Sequence, residues 1–220
     1  RLWIELYFEL PELPPISNVI TPDEQHQINL RAAQLAEYRG IHYKAALLYS
    51  LVPLYDHVLD HECIELRKYI EGFLDDSVLK SHLIIYNKIK INTKSVSFEK
   101  FNALRILMCF AYAYLHAHKG EFSEAVEQVE KADFLPISTE DVQPFREKLM
   151  ANSELRKALP KMLIVAIKSY AELFKSYADS RAVKPGTFIK NKEKAEAIIE
   201  LTSDIDIPNY AQEQILNFSL

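Results

Sequence analysis

The sequence predicts an all-α protein, an irregular α-helical solenoid of stacked antiparallel helix hairpins, and three observations carry that reading. Only 4 of the 220 residues are glycine, well under the roughly 7% of average usage, which disfavours sheets joined by tight turns. Apolar side chains recur at every third or fourth position through most of the chain, the period of a helix that buries one face. Two glycine corners share one design 80 residues apart, Gly40 with Tyr43 and Ala45, and Gly120 with Phe122 and Ala125. Small residues there let two helices approach closely, and reuse of the unit points to a solenoid.

Taken in order, Leu2 to Leu10 reads as a short helix ended by Pro11, Pro14 and Pro15, with an extended linker after it. Thr21 then caps a helix, Pro22 suits its first turn, Asp23 and Glu24 complement the dipole, and the helix runs to Arg39 before Gly40. From Ile41 a second helix carries Ala45, Leu48 and Val52, and the near absence of a loop forces an antiparallel hairpin that ends or kinks at Pro53. A third helix, Asp56 to Leu74, places Leu59, Cys63, Leu66, Ile70 and Phe73 on one face and charges on the other. Ser77 to Tyr86 reads as a short helix and Lys88 to Ser97 as a loop.

Ser97 caps a long helix, Phe98 to Lys119, apolar around much of its circumference, so it must touch neighbours on several sides. Gly120 ends it and the next helix begins at once with Phe122, Ala125, Val126 and Val129. Ser138 and Asp141 suit a capping box for a helix reaching Ala151. Pro160 is expected to open the next, with Leu163, Ala166, Ile167, Tyr170, Phe174 and Tyr177 inward and Lys161, Lys168, Glu172 and Lys175 outward. Ser180 to Lys192 reads as a loop around Pro185 and Gly186, and two last helices follow at Lys192 to Leu201 and Pro208 to Asn217.

Composition excludes several classes. A hydrophobic fraction of 49% supplies a core, so global disorder is not expected. A net charge of -5 offers no field for nucleic acid, and no direct nucleic-acid contact is expected. The longest uncharged run, Ile106 to Ala117, is about 12 residues against the roughly 20 needed to cross a bilayer. Cys63 and Cys109 lie far apart in apolar helical settings, which suits reduced structural thiols. The chain opens at Arg1 with an aromatic run already under way, and residues 1–220 read as one solenoid segment of a longer protein.

Few residues invite chemistry. His57 and His61 lie one turn apart on a helix with Cys63 two positions on, a pattern that touches zinc ligation. Cys63 points elsewhere and no third ligand stands out, so the pair reads as solvated histidines. His116 and His118 near a helix end suit the negative pole of the dipole. Arg181, Lys184, Lys190, Lys192 and Lys194 read as a solvated basic loop. With no phosphate loop, nucleophile elbow or paired-cysteine motif, no catalytic, cofactor or metal site is expected.

Ile28 to Leu51, INLRAAQLAEYRGIHYKAALLYSL, is similar to a hairpin of the nucleoporin-interacting component family, the linker scaffold nucleoporins of the nuclear pore inner ring. Phe101 to Tyr177 resembles the carboxy-terminal block of that family, through LPISTEDV at Leu135 to Val142 and ELRKALPKMLIVAIKSY from Glu154 to Tyr170. Together these cover about half the chain. The resemblance implies a non-enzymatic scaffold at the nuclear envelope that works with other nucleoporins and binds a linear segment of an adaptor nucleoporin. Tyr170, Phe174 and Tyr177, with Ile198 and Ile199, are the first partner-binding candidates. A different helical-repeat scaffold, tetratricopeptide-like or a coat or lid-complex subunit, is the alternative. The 80-residue spacing of the glycine corners argues against simple tetratricopeptides, whose period is about 34.

Overall fold

A computed structural model describes residues 21–72, 76–91, 96–136, 141–179, 185–202 and 208–216. Among the described residues there are ten α-helices and no strand. They are α1 Pro22–Tyr38, α2 His42–Leu51, α3 Tyr55–Ile70, α4 Asp76–Ile91, α5 Phe98–His118, α6 Phe122–Ala132, α7 Val142–Ala151, α8 Ser153–Asp179, α9 Pro185–Thr202 and α10 Asn209–Leu216. The helix expected at Leu2 to Leu10 and the linker after it lie outside the described residues. The chain forms two compact units, residues 1–65 with 80–101, and residues 66–79 with 102–220.

In the first unit α1 starts where threonine can satisfy the free donors of a first turn. The Glu24 N–H donates to Thr21 Oγ1 at 3.3 Å and the Thr21 N–H donates to Glu24 Oε2 at 2.9 Å, a reciprocal capping box. The helix stops in a left-handed glycine, Gly40 at φ 69°, with the Ile41 N–H on the Ala36 carbonyl and the Gly40 N–H on the Glu37 carbonyl, both at 2.9 Å. These are the paired bonds of a Schellman turn. The corner after α5 has the same build: Gly120 sits at φ 78°, with Glu121 N–H to the His116 carbonyl at 2.9 Å and Gly120 N–H to the Ala117 carbonyl at 3.2 Å. Even the next residue matches, Ile41 at φ -90°, ψ 69° and Glu121 at φ -87°, ψ 68°. Ala45 and Ala125, the alanines of the repeated pattern, are both fully buried.

Helices α1 and α2 pack together, with small residues Ala32, Ala33 and Ala36 buried on one and Ala45 and Ala46 on the other. Around this seam the first unit buries polar groups that the sequence placed in solvent. The Tyr49 hydroxyl donates to Glu37 Oε2 at 2.6 Å, and its ring stacks on His57 and His61 with centroids 4.7 and 5.7 Å away. His57 is exposed, but His61 is only 3% exposed, so it is not a solvated histidine. Its Nδ1 lies 3.0 Å from His42 Nδ1, one nitrogen donating and the other accepting, and its Nε2 lies 3.7 Å from Glu37 Oε1.

The charged face expected on α3 is also partly interior. Glu62 and His82 are 0% exposed and meet through Glu62 Oε2 and His82 Nδ1 at 2.8 Å. Burial pushes the Glu62 carboxyl above its ordinary range, against the pull of His82. Each group buried alone would be costly, and pairing reduces that cost. Helix α4 runs to Ile91, so Lys88 to Ile91 is helical instead of loop. The reason is that Ile85 and Ile89, one turn apart, both find burial. Helix α3 closes at Ile70, before the expected Leu74, because Gly72 turns left-handed at φ 85° and bonds the Tyr69 carbonyl.

The second unit is organised on α8, which packs against α6, α7, α9 and α10. Asn152 starts α8 well before Pro160, its Oδ1 accepting from the N–H groups of Glu154 and Leu155 at 2.9 and 3.1 Å. Pro160 therefore lies inside the helix and is buried. An interior proline costs about 3 kcal/mol in an isolated helix, and burial on both sides of it offsets that cost. The expected amphipathic pattern fails in the middle of α8, where Met162, Leu163, Ile164, Val165, Ala166 and Ile167 are consecutively buried. These six residues, more than one and a half turns, have no solvated face. Helix α5 behaves as anticipated, with Ile106 through Ala111 buried in succession.

Helix α9 begins at Pro185, so the loop expected from Ser180 to Lys192 is helical from Pro185 onward. Proline at a first helical position fits, since its missing N–H has no intrahelical partner there anyway. Arg181, Lys184 and Ser138 lie outside the described residues. Between α6 and α7 the chain turns at Asp133, φ 47°, and sends Phe134 inward. Phe134 packs on Phe110 and Phe145 at centroid distances of 6.4 and 5.1 Å. Such contacts each add about 0.5–1.5 kcal/mol beyond burial. Arg105 closes the end of α6 by donating to the Lys131 and Ala132 carbonyls at 3.0 and 2.9 Å.

Two tests follow from these arrangements. Adding a Cβ at Gly120 meets no atom within 4 Å, so Gly120→Ala should lose about 1 kcal/mol through backbone conformation alone. The urea midpoint should fall with an unchanged slope, and Gly120→Asn should lose less. For His61, burial outweighs the Glu37 carboxylate and, helped by His42, holds the imidazole below its ordinary 6.5. The folded form resists the proton, so the stability present above that pH is lost as pH falls through it toward the folded value. Urea midpoints at about pH 7.5 and about pH 5.5 should therefore drop more for the wild type than for His61→Asn. Equal drops would show that burial does not keep His61 neutral.

Candidate functional site

In the second unit the residues of α6, α7, α8 and α9 leave a cleft of about 330 Å³. Its apolar floor is formed by Val129, Phe134, Phe145, Tyr170 and Ile198, and its polar wall by Glu130, Asp133, Asp141, Lys148 and Lys194. Tyr170 and Ile198, two of the expected partner-binding residues, are thus brought together here. Both are held deep, at 2% and 0% exposure. Phe174 and Ile199 are half-buried, and the side chain of Tyr177 lies outside those described.

The wall has a defined polar arrangement. Lys194 Nζ pairs with Glu130 Oε1 and sits 5.9 Å from the centroid of the Tyr170 ring. The Tyr170 hydroxyl donates to the same Glu130 oxygen at 3.4 Å. Burial, reinforced by Glu130, pushes the Tyr170 phenol well above its ordinary range, so it stays a donor. Lys148 Nζ donates to the Asp133 carbonyl at 3.0 Å. Lys194, grouped with the solvated basic residues, is half-buried in the helix expected from Lys192, and Lys192 lies near Glu196 at 3.6 Å, one turn along the same helix.

The remaining candidates are accounted for by packing. His57 and His61 stack on Tyr49, and the nitrogen facing His61 belongs to His42, which nothing in the sequence singled out. Among the described residues no group of three or more His, Cys, Asp or Glu is placed to hold a metal ion. His116 Nδ1 meets Glu121 Oε2 at 2.7 Å across the Gly120 corner, and His118 stacks on Tyr114. Cys63 and Cys109 are buried and not in a disulfide, and burial pushes the Cys109 thiol up, away from the reactive thiolate. No described helix is long and apolar enough to cross a membrane. Sequence reasoning missed Glu130, Asp133 and Lys148. The available signal for Glu130 and Asp133 was the pair of apolar positions, Val129 and Phe134, on either side of them; nothing local marks Lys148.

The profile of the family described as Nup93/Nic96 matches residues 16–209. No curated protein sequence matches the chain. The structure is similar to the crystal structure of the Chaetomium thermophilum Nic96 SOL, with a TM-score of 0.68 at 16% identity, over 88% of this chain and 34% of that one. The chain thus spans about a third of the length of that solved structure, and the likeness shows a shared helical solenoid fold. With most of its length matched by one profile, the chain belongs to the Nup93/Nic96 family, scaffold components of the nuclear pore complex at the nuclear envelope.

Proposed function

We propose that this chain is a solenoid segment of a non-catalytic inner-ring scaffold nucleoporin, and that it binds a short linear segment of an adaptor nucleoporin in support of pore assembly and nucleocytoplasmic transport. The observation that carries the reading is the family match over residues 16–209. The cleft on α8 supplies a place for the contact, apolar at its floor and polar at its wall, as peptide sites commonly are. A volume of about 330 Å³ admits one or two large side chains and not a folded partner.

Tyr170 and Ile198 would act as a rigid floor in this reading, and Phe174, Tyr177 and Ile199 remain candidates for contact beyond it. Overlapping peptides tiled across inner-ring adaptor nucleoporins, presented to the folded chain, test the proposal. Leu135 is half-buried and also lines the cleft; one adaptor segment should be retained and should be lost on Leu135→Arg, which places a bulky charge there while helical circular dichroism stays unchanged. Retention of no segment would overturn the adaptor reading. Retention indifferent to Leu135→Arg would move the contact away from this cleft.

A further inference from the structure

Lys194 occupies a position in the cleft that has the chemistry of a cation receptor. Its ammonium lies over the Tyr170 ring, 5.9 Å from the centroid, and pairs with Glu130, whose Oε1 is also held by the Tyr170 hydroxyl. An aromatic face beside a carboxylate is the arrangement that takes guanidinium and ammonium groups in general. Three acidic side chains and two lysines line the cleft, leaving it one charge negative. One of the lysines, Lys148, is directed at the Asp133 carbonyl oxygen and not at a carboxylate. The Asp133 side chain is exposed at the wall.

We propose that the cleft selects a partner segment in which a large apolar side chain stands next to an arginine or lysine. The apolar group fills the floor between Phe134, Phe145 and Ile198. The cation displaces Lys194 from Tyr170 and Glu130 and gains Asp133 as a second acceptor. This rests on the adaptor reading and deepens it by naming the chemistry of the segment. Arginine suits the site better than lysine, since its planar group stacks on a tyrosine ring while its donors reach two carboxylates. Lys194 is then an internal competitor. Its long, flexible stem leaves the ring at little cost, because an ammonium is readily solvated.

A displayed library of random short peptides, selected on the folded chain and followed by fluorescence anisotropy of the recovered sequences, tests this. The recovered peptides should place arginine or lysine within two positions of an aromatic or large aliphatic residue. Changing that cation to glutamate should weaken binding by about tenfold or more. Asp133→Asn should weaken binding several-fold; asparagine tolerates the left-handed backbone at φ 47°, so the fold is kept. Lys194→Met should tighten binding by removing the competitor. Recovery of acidic or charge-indifferent peptides, or affinities unmoved by both Asp133→Asn and Lys194→Met, would overturn the inference. An adaptor segment that binds without such a residue pair would also overturn it while the adaptor reading stands, whereas failure of every adaptor segment defeats the adaptor reading itself.

Discussion

Helix α8 has no solvated face through more than one and a half turns, from Met162 to Ile167, and such a helix is stable only when neighbours cover it on every side. Burying side chains of this size is worth roughly 1.5–3 kcal/mol each for the larger ones. That gain requires α6, α7, α9 and α10 to lie against it, as they do. The cleft is a by-product of this arrangement. Helices α6, α7 and α9 around α8 leave a crevice between them, and Asp133, turning left-handed, shapes its rim by sending Phe134 down to Phe110 and Phe145. Polar groups at the crevice are then positioned by a rigid floor. At the entry to α8, Arg67 donates to Glu154 at 2.6 Å while Asn152 caps the first turn, so the register of α8 is set by bonds at its start as well as by packing along its length.

In the first unit the limiting physics is polar. Small alanines bring α1 and α2 together, and the seam holds two hydrogen-bonded pairs, Tyr49 with Glu37 and His42 with His61, whose nearest approach is 3.7 Å between His61 Nε2 and Glu37 Oε1. Glu62 and His82 form a second, wholly buried pair with one atom of each lacking a partner among the described residues. Apolar residues of similar volume would serve stability as well or better. What the pairs add is specificity, since a slipped helix would strand a charge in the interior.

The parts of the fold that local chemistry determines were legible. Thr21 with Glu24, and glycine followed by alanine at Gly40 and Gly120, each specify a turn through bonds made within a few residues. The geometry of the two glycine corners repeats to within about ten degrees. Features that depend on distant partners were not legible. Pro160 looks like a helix start until Asn152 is seen to cap an earlier one, and Pro185 looks like a loop until α8 offers a surface that makes helix worthwhile. His61 and Glu62 read as solvated because helical periodicity cannot see His42 or His82. Tyr170 and Ile198 were singled out as apolar candidates and do lie at the cleft, but the acidic wall at Glu130 and Asp133 is written in residues that look like ordinary surface.

In the second unit α6, α7, α9 and α10 all lean on α8. Native-state hydrogen exchange measures that dependence directly. The amides of residues 162–167 should be the slowest in the second unit, exchanging only when α6, α7 and α9 open with them in one cooperative step. Exchange of the centre of α8 ahead of α6 or α9 would contradict the account, because a helix without a solvated face cannot open while its coverings remain in place.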